Sequence, residues 1–240
     1  MTPGAEITVG GERLFATASG ALYWPSQETL ILSDLHFEKG SHFAARGVLL
    51  PPYDTRATLK RIAALIGAFA PKTVISLGDA FHDDEAEARM DEEDAALLEA
   101  LIAKTRWMWV LGNHDPAPPS RFPGGVEGAM RIGRLILRHE PAIGETGEIA
   151  GHLHPAARIR VESRLIRRRC FATDGERLVL PAFGAYAGGL NILDKAFDGL
   201  FSETLNALML GGTGVYPFAA ALLIPDARET RRLAWPLPAA

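Results

Sequence analysis

Four short apolar runs in this chain each stop abruptly at a polar cluster. Thr29-Leu30-Ile31-Leu32 ends in Ser33-Asp34-Leu35-His36, and Thr73-Val74-Ile75-Ser76-Leu77 ends in Gly78-Asp79. Trp107-Met108-Trp109-Val110-Leu111 meets Gly112-Asn113-His114-Asp115, and Glu148-Ile149-Ala150 meets Gly151-His152-Leu153-His154. A fifth run, Leu135-Ile136-Leu137, leads to Arg138-His139. Runs this short, bounded by turn formers, read as buried strands. Folding alone does not call for an amide, imidazoles and carboxylates at their ends. In α/β sheets ligands gather outside the carboxyl ends of strands, so residues far apart in sequence can meet there.

The intervening segments fit that architecture. From Asp54, read as a capping residue after Pro51-Pro52, the spacing of Leu59, Ile62, Ala63, Ile66 and Phe69 predicts a helix that Pro71 ends. The acidic stretch Asp83 to Asp94 passes into a second helix with Leu97, Leu98, Leu101 and Ile102 inward, its carboxylates favoured at the start by the helix dipole. Three short strands are expected at Glu6–Val9, Arg13–Ala18 and Ala21–Trp24. A hairpin is expected at Ala129–Ile132 and Leu135–Leu137, and further strands at 157–161, 167–172 and 177–180. A short helix around Phe201–Leu210 and a last strand near Ala219–Ile224 close the chain. With 240 residues and no repeat or linker, one domain spanning 1–240 is expected.

Bulk properties remove some classes of function. The single cysteine, Cys170, rules out an internal disulfide and a thiolate-rich metal site. The longest apolar stretch, Phe218–Ile224, is far too short to span a membrane, and Met1–Glu6 lacks the basic and apolar regions of a secretory signal. A cytoplasmic protein is the expectation. The net charge of −4 gives no global sign of nucleic-acid binding, although a local basic surface can act against a mildly acidic total.

All seven histidines fall between His36 and His154, and five of them stand beside strand ends. Carboxylates, imidazoles and one amide without thiolate suit Mn²⁺, Fe²⁺, Zn²⁺ or Ni²⁺. Asp34 with His36 and His152 with His154 are i, i+2 pairs, which strand alternation would place on one face. With Asp79, Asn113 and His139 they offer seven donors, more than one ion takes alongside its water, so the count favours two. Two dications about 3.5–4 Å apart repel, and a shared carboxylate with a bridging hydroxide offsets that. Asp79 is the candidate bridge. His114 then fits as the group that stabilises or protonates a departing oxygen in an in-line displacement at phosphorus, with Asp115 orienting its ring.

In this order the motifs resemble those of the calcineurin-like metallophosphoesterase superfamily: Asp-x-His, Gly-Asp, Gly-Asn-His-Asp, a later His, and Gly-His-x-His. The resemblance implies an α/β fold, a four-layer αββα sandwich with mixed sheets, and two divalent metal ions, Mn²⁺ first. One ion would take Asp34, His36, Asp79 and His154; the other would take Asp79, Asn113, His139 and His152. Arg138 stands where much of the superfamily has glycine before the later His. His42 and His82 lie in the wrong segments to replace His139. Ser33-Asp34-Leu35-His36-Phe37-Glu38-Lys39-Gly40, Gly78-Asp79-Ala80-Phe81-His82-Asp83 and Leu180-Pro181-Ala182-Phe183-Gly184-Ala185-Tyr186-Ala187-Gly188-Gly189-Leu190 narrow it further. These segments are similar to the bacterial ligase-associated DNA damage response endonucleases, the PdeM group. That likeness implies a DNA or RNA phosphodiester as substrate, DNA repair as the setting, and a DNA ligase and helicase as associates.

Arg158, Arg160, Arg164, Arg167, Arg168 and Arg169 crowd one stretch with only Glu162 against them, so contacts to backbone phosphates compete with a plain solvated surface. Lys39, Arg46 and Arg89 are candidates for meeting a substrate phosphate. Asp83 is a candidate acceptor behind a ligand histidine. Phe81, Phe183 and Tyr186 are candidates for stacking on a base, with core packing the favoured reading. Two other functions stay open: a hydrolase of small nucleotides or other phosphodiesters and pyrophosphates, and an interaction module that kept the fold without catalysis.

Overall fold

The computed structural model describes residues 2–48 and 50–226. Its first sheet contains β1 (Gly4–Val9), β2 (Glu12–Thr17), β3 (Leu22–Trp24), β4 (Thr29–Leu32), β5 (Thr73–Leu77), β6 (Arg106–Val110) and β7 (Gly125–Glu127), in that spatial order. Strands β1 to β4 run antiparallel through short turns, whereas β4 to β7 are parallel. Parallel neighbours need crossovers. Between β4 and β5 lie α1 (Lys39–Ala45) and α2 (Asp54–Phe69); between β5 and β6 lie α3 (Ala86–Arg89) and α4 (Glu92–Ile102).

The apolar runs are continuous because β4, β5 and β6 are buried on both faces. Leu30, Leu32, Val74, Trp107 and Trp109 pack toward Leu59, Ile62 and Leu65 of α2 and Leu98 and Leu101 of α4. The alternate residues, Ile31, Ile75, Leu77, Met108 and Val110, face a second sheet through Leu135, Leu137, Ile149, Phe171 and Leu178.

That second sheet holds β8 (Ala129–Ile132), β9 (Leu135–Arg138), β10 (Glu148–Ala150), β11 (Pro155–Val161), β12 (Arg164–Thr173), β13 (Arg177–Val179), β14 (Leu190–Asn191), β15 (Asn206–Leu210) and β16 (Val215–Ala219). Its spatial order is β14-β11-β12-β13-β10-β9-β8, with β15 and β16 added at β12. Strands β9, β10 and β13 are parallel, so the residues after β9 and β10 emerge at one edge.

The architecture is the α/β sandwich of mixed sheets that the motifs imply. Its layer outside the second sheet is thin: two 3₁₀ turns, Lys195–Phe197 and Ala220–Leu222, bring Phe197 and Leu223 over Ala157, Ile159, Cys170 and Ala172. Among the described residues no helix is long and apolar enough to cross a membrane.

Three local expectations are corrected. The helix expected around Phe201–Leu210 is strand β15, because residues 206–210 pair with both β12 and β16 and tertiary pairing overrides helix propensity. The last strand ends at Ala219 rather than spanning 219–224; as an edge strand it tolerates Pro217. Asp54 begins α2 but does not cap it. Its carboxylate accepts from Gly40 N at 2.9 Å, so it serves the start of α1 instead.

An ion cluster is buried between β10 and β13. Arg177 Nε lies 2.6 Å from Glu148 Oε2, and Arg138 Nε lies 3.2 Å from Glu148 Oε1. The Arg177 guanidinium also donates to the carbonyls of Ala142, Glu145 and Leu200. Breaking such a pair strands a buried charge, at about 3–5 kcal/mol. Arg177→Ala is therefore expected to lower the urea midpoint by that equivalent, while joint replacement of Arg177 by Met and Glu148 by Leu recovers most of it; equilibrium unfolding followed by circular dichroism checks both.

Candidate metal centre

Three of the five polar clusters leave their strands through a backbone reversal. Asp34, His36, Asp79, His152 and His154 all have positive φ, between 45° and 66°. Side chains other than glycine rarely adopt this left-handed region, and where they do the surroundings hold them there, often at functional sites. The Asp-x-His and His-x-His pairs thus converge by left-handed turns, not by the strand alternation expected from their spacing. Backbone bonds lock these turns together: Asp34 N donates to Gly78 O at 3.2 Å, His36 N to Asp79 O at 2.9 Å, and Gly151 N to His139 O at 2.9 Å.

The side chains meet at the seam of the two sheets. Asp34 Oδ1 lies 3.1 Å from His154 Nε2, which is 3.3 Å from His36 Nε2. Asp79 Oδ2 is 3.9 Å from His36 Nε2, and its other oxygen is 3.3 Å from His139 Nε2. His139 Nε2 is also 3.1 Å from Asn113 Oδ1 and 3.2 Å from His152 Nδ1. Two groups of these donors result, Asp34/His36/His154 and Asp79/His139/His152, each with its donor atoms within 4.8 Å of one another, and a third group, His36/His82/His114, is as compact beside them. All seven residues singled out as donors are brought together, His139 among them. Arg138 does not interfere, because its guanidinium turns to Glu148.

The donor set fits metal ions. Donors about 2.1 Å from one ion stand roughly 3.0–3.4 Å apart, the spacing found here. Asp34 Oδ2 is fixed by Ser33 Oγ at 2.5 Å and His152 N at 3.1 Å, whereas Oδ1 is buried with no hydrogen-bond partner and turns into the cluster. Burial alone would raise the Asp34 carboxyl, but His154 and His139 hold it below the usual carboxylate range. Asp79 is lowered likewise: burial is outweighed by His139 and by the amide of His114. Burial works against the His139 imidazolium, yet Asp79 and Asp34 lift it to about 9. The His36 ring is driven down to about 3, first by burial. The cluster therefore attracts positive charge at one ring and keeps another as a neutral donor.

Two glycines are set by this crowding. Gly78 has φ +76°, and a Cβ there would overlap the His139 ring; a Cβ on Gly112 would overlap Asp79 Oδ1. The glycines of Gly-Asp and Gly-Asn-His thus give neighbouring ligands room.

Asp115 does something other than orient His114. Its carboxylate accepts from the backbone amides of Asp79 (3.0 Å), Ala80 (2.7 Å), Phe81 (3.2 Å) and Gly112 (3.0 Å). It pins the turn carrying Asp79. Burial, with the Asp79 charge adding to it, lifts its pKa to about 6 despite those amides. The partner of His114 Nδ1 is the carbonyl of His82, at 2.8 Å.

His82 is a member of the site that the strand-end motifs do not single out. Its ring lies parallel to His114 at 5.0 Å, and its Nδ1 is 3.3 Å from His36 Nδ1. Burial first, then Lys39 and His42, lower it to about 4. Its place three residues after Asp79 is the one signal in the sequence that points to it. Asp83 supports His42 (2.5 Å) and Arg89 (2.7 Å), not a member of the donor set. Arg89 is accordingly committed to Asp83 and Glu85, and Arg46 reaches the exposed edge of His42. Lys39 is half-buried; burial lowers its ammonium against the opposing pull of Asp54 and Asp79. Phe81 and Phe183 are core residues, and Tyr186 Oη donates to Pro51 O.

Strand-end geometry of this kind defines a metallophosphoesterase, and the chain belongs to the calcineurin-like phosphoesterase family, whose model matches residues 28–167. The structure is similar to that of Pseudomonas putida nuclease MPE, with a TM-score of 0.69 and 25% identity over 90% of this chain and 100% of that one. Yfce, a phosphoesterase from E. coli, aligns at a TM-score of 0.39 and 15% identity, over 80% of this chain and 98% of that one. No curated protein matches the chain in sequence.

Asp115→Ala leaves four amides without their acceptor, at a cost of about 2–4 kcal/mol. The expected result is a lower unfolding midpoint together with a lower metal content by inductively coupled plasma spectrometry. Unchanged stability and metal content with slower turnover alone would return Asp115 to the role of orienting His114.

Proposed function

We propose that this chain is a dinuclear metal-dependent phosphodiesterase acting on nucleic acid. The observation that carries the reading is the pair of donor groups with Asp79 between them, one oxygen toward His36 and the other toward His139. Asp34, His36, Asp79 and His154 would hold one ion, and Asp79, Asn113, His139 and His152 the other. Donors of oxygen and nitrogen without sulfur suit Mn²⁺ first, with Fe²⁺, Zn²⁺ or Ni²⁺ as alternatives. Bound there, two dications supply Lewis acidity at phosphorus and lower the pKa of water.

The chain's own groups do the rest. Asp115 and Ser33 hold the carboxylates in place, the first through the backbone of Asp79 and the second through Asp34 Oδ2. The His82 carbonyl accepts from His114 Nδ1, which leaves Nε2 as the ring nitrogen that would donate to the departing oxygen. The likeness to a Pseudomonas putida nuclease and the motif resemblance support nucleic acid as substrate. On the resemblance rests the wider reading, bacterial DNA repair beside a DNA ligase and a helicase; cysteine usage supports the cytoplasm, and a length without repeat or linker supports residues 1–240 acting as one catalytic domain.

Asp79→Ala is expected to drop metal content below one ion per chain and to abolish hydrolysis; near-normal turnover with Mn²⁺ would overturn the shared-ligand assignment. For His114→Ala the expectation is unchanged metal content with turnover slowed by about 10²–10⁴-fold, the range for lost general-acid catalysis. Parallel metal loss in that variant would make His114 a ligand instead. A matrix of metals against oligonucleotides, mononucleotides and chromogenic diesters tests the substrate class.

A further inference from the structure

The β11–β12 hairpin breaks a rule of sheet design. Its register sets Arg158 directly opposite Arg167, Arg160 opposite Leu165, and Ala156 opposite Arg169. Arg158, Arg160, Arg167 and Arg169 therefore share one face, with two like charges as direct cross-strand partners, an arrangement that destabilises a sheet. The opposite face carries Ala157 and Ile159, with Ile166 against them, and packs into the outer core. Among the described residues one carboxylate answers the arginine face: Asp226, 3.0 Å from Arg167 and 3.9 Å from Arg158. Arg158 Nε is buried and has no hydrogen-bond partner, and Arg160 is exposed without an ion pair among the described residues.

The root of the ribbon is joined to the metal centre. Strand β11 begins immediately after His154. Arg169 donates to the carbonyls of Ala182 (2.9 Å), Ala185 (3.3 Å) and Ala187 (2.6 Å), and in the same loop Gly184 N donates to Asp34 O at 3.0 Å. Arg167 donates to Gly189 O at 2.6 Å, next to Leu190, whose amide donates to His154 O at 2.9 Å. Successive same-face rungs are about 7 Å apart along a strand, comparable to the spacing of successive phosphates along an extended nucleic-acid strand. Arginine is suited to such contacts, since its planar fork grips phosphate oxygens bidentately.

We propose that the face formed by Arg158, Arg160 and Arg167, anchored at its root by Arg169, is the track on which the phosphates of a nucleic-acid strand rest while one of its diesters occupies the metal centre. The inference rests on the nucleic-acid phosphodiesterase reading above. It assigns backbone contacts, which set position and affinity without reading sequence. Asp226 acts as a resident competitor that the phosphates displace.

The test compares the full-length wild type with R158Q/R160Q, the lysine variant at the same two positions and Asp226→Asn. Binding of a fluorescein-labelled oligonucleotide is followed by anisotropy across a salt series, and hydrolysis of bis-p-nitrophenyl phosphate reports the metal centre alone. The glutamine variant is expected to hydrolyse the small diester at the wild-type rate and to bind the oligonucleotide at least about ten-fold more weakly, with a salt slope shallower by about one for each phosphate no longer neutralised. Lysine at the two positions restores most of the binding, and Asp226→Asn tightens it. Wild-type affinity and salt slope in the glutamine variant, with the oligonucleotide still cleaved, would overturn the track and leave the nuclease reading standing. A wild type that hydrolyses the small diester but neither binds nor cleaves the oligonucleotide would overturn both.

Discussion

Two carboxylates and four imidazoles, with one amide, crowd a space a few ångströms across, and the fold is arranged to keep them there. Left alone, such groups repel, protonate or turn to water. Asp34 is fully buried and His36, Asp79 and His139 nearly so, which removes the last of these options. Five of the residues also sit in left-handed backbone, at on the order of 1–3 kcal/mol each where the surroundings do not offset it. Summed, that is comparable with the whole stability of an ordinary domain. The bonds from Asp115 to four amides, and those linking the turn after β4 to the turn after β5, are the compensations that make it tolerable.

The donor set is divided between the sheets. The first supplies Asp34, His36, Asp79 and Asn113 from three adjacent strands, β4, β5 and β6; the second supplies His139 from β9, and His152 and His154 from β10. The separation of the two halves is thus fixed by what lies between the sheets, the layer of Ile75, Leu77, Met108 and Val110 against Leu137 and Ile149. A layer packed to native density transmits small displacements instead of absorbing them. Site and core are one mechanical unit, and residues remote from any ligand set the distance between donor groups.

The donors themselves are legible in the sequence because each motif is local: an apolar run, a turn, then the polar residues. Partnerships across the fold are not. Asp115 reads as the partner of the histidine beside it, while its donors belong largely to the turn after β5, some 35 residues earlier in the chain. His82 escapes the pattern because no apolar run leads straight into it, although it stacks on His114. Strand β15 carries Ala, Leu and Met, good helix formers, and only its pairing with β12 and β16 decides the matter. For the Asp-x-His and His-x-His pairs the residues are right and the expected geometry wrong, since a positive φ at Asp or His leaves no mark in side-chain periodicity.

Charge shows the same limit of one-dimensional reading. The acidic run from Asp83 to Asp94 argues against a polyanion nearby if its carboxylates act as free charges. In the fold six of its eight carboxylates pair with arginines, Asp83 and Glu85 with Arg89, Glu92 with Arg121 (which also takes the more distant Glu99), and Asp91, Glu93 and Asp94 with Arg56, whereas Asp84 and Glu87 have no such pair among the described residues. Pairs this exposed add little to stability, and three arginine charges offset only part of the field of eight carboxylates. The arginine face of β11–β12 has Asp226 alone against it among the described residues. A net charge of −4 therefore hides an acidic flank that its arginines offset only in part and a basic one left largely uncompensated.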